Sequence, residues 1–173
     1  MNKKKVNKIL KDLFPYLIIL ILVVIVRSFI ITPAIVDGSS MKPTLDDGNV
    51  ILLNKLDKRL NDLKRFDIVV VDYNGRKLVK RIVGLPNEYV EYNNNALYVN
   101  ENIVLEDFKH TDTSDFTLES IGYVKIPGNK YLVVGDNRNN SIDSRTIGLI
   151  EEKNILGTVS IRLFPINKIG RVK

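Results

Sequence analysis

Two neighbouring runs, Asp67-Ile68-Val69-Val70-Val71-Asp72-Tyr73 and Lys77-Leu78-Val79-Lys80-Arg81-Ile82-Val83, decide the fold class. The first is a short β-branched run. The second alternates basic and apolar residues with the period of a strand. Glu88–Tyr92 and Ala96–Asn100 flank Asn93-Asn94-Asn95, residues suited to a hairpin loop. Lys130–Val134 and Leu156–Phe164 read as further strands. Phe108–Ser120 is polar, holds the single His (His110), and reads as a surface loop. Lys55–Leu63 has room for one or two helical turns. No internal repeat or low-complexity tract is visible. The expected fold is mainly β, a compact twisted antiparallel sheet system.

Upstream, Leu13–Val26 reads LFPYLIILILVVIV without a charge, and Phe29-Ile30-Ile31 extends it past Arg27 and Ser28. A span over Leu13–Ile31 is long enough to cross a hydrocarbon core of about 30 Å. Arg27 lies near its far end, where a long side chain snorkels to the interface. The division expected is a basic tail over 1–12, an anchor over 13–31 and a catalytic domain over 32–173. Lysines concentrated before the span place the N-terminus in the cytoplasm and the domain outside the plasma membrane, as a single-pass protein. A cleaved secretory signal is the competing reading. Its apolar core would be unusually long, and Ile30-Ile31-Thr32-Pro33-Ala34 is a poor cleavage site. A buried core helix is the other alternative.

Of 173 residues, 26 are Lys or Arg and 20 are Asp or Glu, a net charge of +6. Most of that excess sits among the first residues, where Lys3, Lys4, Lys5, Lys8 and Lys11 face a single Asp12. No basic stripe with interleaved aromatics remains to mark a nucleic-acid partner. The chain has no Cys, which excludes thiolate catalysis, disulfides and cysteine metal sites. With one His besides, the usual zinc site cannot be built. No cofactor or metal is expected.

Three segments carry the chemistry. Asp37-Gly38-Ser39-Ser40-Met41-Lys42-Pro43-Thr44-Leu45 follows the apolar span. Alone it reads equally as a linker rich in turn residues. In Leu78–Pro86, strand alternation puts Leu78, Lys80 and Ile82 on one face and Lys77, Val79 and Arg81 on the other. A lysine with apolar neighbours on its own face is a candidate for a lowered pKa. The plainer reading is an edge-strand lysine that discourages aggregation. Gly135-Asp136-Asn137-Arg138-Asn139-Asn140-Ser141-Ile142-Asp143-Ser144-Arg145 is a dense polar loop, either simply solvated or fixed by an Asp143–Arg145 pair.

Taken in order, the three resemble the boxes of the bacterial type I signal peptidases. GSSMKPTL is similar to the serine box, in which the nucleophile immediately precedes Met, and this selects Ser40 over Ser39. VKRIVGLP is similar to the lysine box and selects Lys80. GDNRNNSIDSR matches a third box, and Arg65–Val70 a core-strand segment. Phe66 stands where the family usually has Gly, and Asn139 where Asp is common.

The resemblance implies a serine endopeptidase that cuts signal peptides from exported preproteins after small residues at −1 and −3. Ser40 would be the nucleophile and Lys80 the general base. Ser141 would orient Lys80, and Asp143 with Arg145 would steady the loop. The Ser40 N–H would form part of the oxyanion hole. Some relatives add a serine hydroxyl two residues before the nucleophile; here Gly38 offers only its backbone. Val36, Met41, Leu45 and Val79 are the candidates for shallow substrate pockets, and signal peptides and the lipid bilayer are the expected partners. The chemistry asks much of the fold. At an ordinary pKa near 10.4, only about one lysine in 2,500 is neutral at pH 7. Two alternatives stand: another Ser-Lys peptidase, for which residues 1–31 offer no DNA-binding domain, and a membrane-tethered, non-catalytic β binding domain.

Overall fold

The computed structural model describes residues 3–56 and 60–172. Helix α1 spans Lys3–Phe29 and ends before Ile31, the first residue of strand β1 (Ile31–Ile35), so the last residue of the expected span belongs to the sheet. The side chains of Leu13–Val24 are exposed along one uninterrupted helix, which is long and apolar enough to cross a membrane. Hydrogen bonds tie the end of α1 to the sheet. Lys55 Nζ donates to the carbonyl of Ser28 (3.1 Å), Thr32 Oγ1 donates to that of Arg27 (2.8 Å), and the Lys55 N–H donates to Ile30 (2.8 Å). A cation at a helix C-terminus satisfies orphan carbonyls and complements the helix dipole.

The strands that follow are β2 (Val50–Asn54), β3 (Ile68–Tyr73), β4 (Arg76–Gly84), β5 (Val90–Asn93), β6 (Ala96–Val99), β7 (Asn102–Val104), β8 (Phe116–Thr117), β9 (Lys130–Val134), β10 (Ile150–Glu151), β11 (Ile155–Phe164) and β12 (Gly170–Arg171). A short helix, α2, covers Ser144–Ile147. The main sheet has the order β1-β2-β11-β3-β4-β9-β10, with β12 added to β11. A second sheet has the order β7-β6-β5-β8. Every pair is antiparallel, as the period-two patterning implies. The hairpins are set by Asn74-Gly75 (φ 52° and 80°) and Asn94-Asn95 (φ 49° and 64°), residue types that enter the left-handed region at low cost.

β4 pairs with β3 over residues 76–81 and with β9 only from Arg81 onward, which among the described residues leaves the other side of residues 77–80 without a strand neighbour. Lys80 is nevertheless buried, so it is not an exposed edge-strand lysine of the protective kind. The segment read as a surface loop, Phe108–Ser120, is instead anchored. Thr113, Phe116 and Leu118 are buried, and Phe116–Thr117 pairs with β5. In Lys55–Leu63, a bond from the Leu60 N–H to the Leu56 carbonyl closes one turn. Residues 57–59 of that expected helix lie outside the described residues.

Phe66 has φ 71°, which accounts for the glycine expected at this position. Its N–H donates to Ile82 (2.7 Å) and its carbonyl accepts from Arg81 Nη1 (3.0 Å), so the left-handed conformation is fixed from both sides. The ring offsets part of the strain by packing on Phe108 at 5.2 Å, while the Arg81 guanidinium lies over Phe108 at 3.8 Å. Phe66→Ala keeps the strain and loses the ring, whereas Phe66→Gly loses both. Urea unfolding should therefore show the Gly variant more stable than the Ala variant by about 1 kcal/mol, the reverse of the usual order. An Ala variant equal to or above the Gly variant would contradict this account.

Candidate active site

Ser40 lies in the turn that follows β1. Gly38 takes φ 93°, and its N–H donates to Asp47 Oδ1 at 2.8 Å. That bond commits the Gly38 N–H and removes it as an oxyanion donor, a correction to the backbone role expected of it. Met41 and Leu45 are fully buried in a cluster with Val36, Ile51, Leu53, Ile68, Val70 and Val159. These anchors make the Ser40 segment part of the core rather than a linker. They also place Met41 and Leu45 behind the site, away from any surface a substrate could touch. Val36 and Val79 border a cavity of about 320 Å³ that also meets Ser40, Lys80, Ala34, Leu53 and Val70.

Lys80 is only 2% exposed, and its Nζ donates to Ser40 Oγ at 2.7 Å. Burial pushes the amine down to about 8. The carboxylates of Asp143 and Asp136 oppose that shift, and the Arg145 cation adds to it. Each carboxylate is occupied by an arginine. Asp143, fully buried, takes Arg145 Nε and Nη2 at 2.9 Å each, accepts the Gly135 N–H at 3.0 Å, and caps α2 through the Arg145 N–H. Burial alone would raise the Asp143 pKa; the Arg145 hydrogen bonds and charge outweigh it and hold the carboxyl below the usual range. Arg145 Nη2 also donates to the Arg138 carbonyl at 2.7 Å.

Ser141 does not hold Lys80 in this arrangement. Its buried hydroxyl makes no bond to the amine among the described residues; the amine's bond goes to Ser40, and the Ser141 hydroxyl helps hold the Asp143 carboxyl down. The Ser141 hydroxyl packs instead on Gly135, where a Cβ would overlap it and lie 2.5 Å from the Ser40 carbonyl oxygen. No side chain fits between the loop and the Ser40 backbone. Asn139 is exposed, away from these contacts.

Sequence reasoning missed a second layer of residues. Arg81 and Asp136 form a fully buried ion pair, Nε–Oδ1 at 2.8 Å and Nη2–Oδ2 at 2.7 Å. Asp136 also accepts from the Thr44 hydroxyl, so one carboxylate joins β4, the Ser40 segment and the 135–145 loop. The signal was present: Arg81 lies between Lys80 and Ile82 in an apolar strand, and a cation there needs a buried partner. The loop is braced from behind. The Thr111 N–H donates to the Asp136 carbonyl at 3.0 Å, and its hydroxyl accepts the Arg138 N–H at 2.8 Å. Glu106 pairs with Arg138 at 2.6 Å and accepts from the Tyr92 hydroxyl at 2.9 Å. His110 belongs to this brace, with Nε2 3.5 Å from Glu106.

A serine hydroxyl bonded to a desolvated lysine suits acyl transfer. Known proteins place the chain in a family. The family described as signal peptidase, peptidase S26, matches residues 9–164. A signal peptidase I of Bacillus amyloliquefaciens is 42% identical over 91% of this chain and 89% of its own length. The signal peptidase I V of Bacillus subtilis (strain 168) is 46% identical over 72% of this chain and 81% of its own. The crystal structure of a signal peptidase I from Enterococcus faecalis V583 superposes with a TM-score of 0.53 at 35% identity, covering 57% of this chain and 97% of that one. The chain therefore belongs to the signal peptidase, peptidase S26, family and is a serine endopeptidase of the signal peptidase I type, acting on the signal peptides of preproteins.

Proposed function

We propose that cleavage runs through Ser40 as nucleophile and Lys80 as general base. The observation that carries this reading is the 2.7 Å bond between the buried Lys80 amine and Ser40 Oγ. Neutral Lys80 takes the hydroxyl proton as Oγ attacks the scissile carbonyl. The oxyanion forms against the Ser40 N–H, which has no hydrogen-bond partner among the described residues. The ammonium then protonates the leaving amine, and the same lysine later activates the water that releases the acyl group. Asp143 and Arg145 hold the loop that borders the amine. Ser141, whose hydroxyl borders Gly135 together with the Ser40 carbonyl, supports the site from the same side.

The substrate binds extended between β1, the terminal strand of the main sheet, and residues 77–80 of β4. Val36 and Val79 border the shallow apolar space that takes small side chains at −1 and −3. The family is membrane-associated, and α1 suits a single anchor. The lysines before it favour a cytoplasmic N-terminus, with the catalytic domain outside and the lipid bilayer as its support.

Four outcomes follow from this reading. Ser40→Ala and Lys80→Ala should each abolish cleavage of a model preprotein. In the wild type, kcat/KM should rise about tenfold per pH unit below 8 and level off above it, because only about a tenth of the amine is neutral at pH 7. An active Ser40→Ala, or a flat profile from pH 6 to 9, would exclude the dyad. Lys80→Met should be inactive yet more stable at pH 7. The folded amine loses its proton near 8 and the unfolded one near 10.5, so the cost of burial stands in full below 8 and fades as pH rises to 10.5. Urea unfolding should give a gain of about 1–3 kcal/mol at pH 7 that shrinks by pH 10. Equal stability of the two proteins at pH 7 would contradict the desolvation account. Finally, protease added to intact spheroplasts should digest the chain beyond about Thr32, and full protection would refute the orientation.

A further inference from the structure

We infer that Asn137 is a positioning residue for the nucleophile, clamping the peptide units on both sides of Ser40 so that the Ser40 N–H is aimed at the oxyanion. The inference rests on the reading of Ser40 as nucleophile. Asn137 Nδ2 donates to the Ser39 carbonyl at 3.1 Å, and the Asn137 backbone N–H donates to the Ser40 carbonyl at 3.0 Å. The Ser39–Ser40 peptide is trans, so its C=O and N–H are coplanar and point in opposite directions. Holding the Ser39 oxygen therefore fixes the direction of the Ser40 N–H. The second bond fixes the next peptide plane. With both planes set, φ and ψ of Ser40 have no remaining freedom, and with χ1 held by the Lys80 bond, Oγ and N–H keep one relative geometry.

The clamp is itself rigid. Asn137 follows Asp136, which is fully buried in its pair with Arg81, and the Asn140 N–H closes a turn on the Asn137 carbonyl at 2.9 Å. Asn140 Nδ2 reaches only the Ser39 hydroxyl, at 3.0 Å, a contact that does not restrain the peptide plane. Position 137 needs a donor. A carboxylate there would set an oxygen against the Ser39 carbonyl oxygen and turn the plane away. Asn137 makes no hydrogen bond to Lys80, so its loss should leave the base intact.

The test uses the full chain in detergent micelles, with a fluorogenic peptide carrying Ala at −1 and −3. Asn137→Asp, Asn137→Ala and Ser40→Ala are assayed together. The oxyanion donor is worth on the order of 100-fold in kcat. The Asp variant should lose about that factor in kcat, with KM within about threefold and the midpoint of the acid limb unchanged. A peptide aldehyde, whose adduct with a serine bears the oxyanion, should bind more weakly by a similar factor. If Asn137→Asp shows no cooperative thermal transition, Asn137→Ala carries the same expectations. Wild-type kcat, a rise in KM alone, or an acid limb that moves with kcat would overturn the clamp. Loss of the fold in both variants would make Asn137 merely structural and overturn it too. An active Ser40→Ala would instead remove the nucleophile assignment, and the clamp with it.

Discussion

The desolvation of one amine organises this site. Moving the Lys80 pKa from 10.5 to about 8 costs roughly 3 kcal/mol of stability at neutral pH. Two carboxylates, Asp136 and Asp143, act on the amine and would restore its proton if left unpaired. Each is engaged by two nitrogens of one arginine, Arg81 or Arg145. The arginines give the loop its charged hydrogen bonds while blunting the field that would keep Lys80 protonated. The two ion pairs are thus part of how the lysine is kept reactive.

The same pairs assemble the site in space. Ser40, Lys80 and the 135–145 loop are far apart in sequence, so something must join them. Met41 and Leu45 sink the Ser40 segment into the core, and β4 carries Lys80 beside β3, one residue before its pairing with β9 begins. Asp136 then links Arg81 of β4 to Thr44 of the Ser40 segment. Removing one partner of a pair so buried leaves an uncompensated charge and costs several kcal/mol. Loop 105–115 braces the arrangement through Thr111 and Glu106. Gly135 allows the closest approach, because any side chain there would strike the Ser40 carbonyl.

Much of this was legible in the sequence, and the rest was hidden for physical reasons. β3, β4, β9, β11 and the β5–β6 hairpin were readable because they are long enough to show a period or are flanked by turn residues. β1 was not. Ile31 runs on from the apolar helix, and Pro33 breaks the strand pattern in a way that only an edge strand tolerates, since it can lack an N–H. Strands of two or three residues such as β8 and β10 are too short to show a period. Phe108–Ser120 reads as polar because only Thr113, Phe116 and Leu118 turn inward. Ser40, Lys80, Asp143 and Arg145 were nameable from the boxes, whereas the Arg81–Asp136 pair joins residues that no local pattern connects. The substrate candidates divided by depth: Val36 and Val79 border the cavity, while Met41 and Leu45 lie under it.

The account depends on the protonation of a single side chain, which can be observed without turnover. Full-length protein carrying lysine labelled with ¹³C at the ε carbon, titrated by NMR in micelles, isolates the Lys80 resonance by its absence in Lys80→Met. A midpoint near 8 is the result expected. A Lys80 resonance that titrates near 10.4 with the exposed lysines would contradict the claim that burial prepares this amine to act as a base.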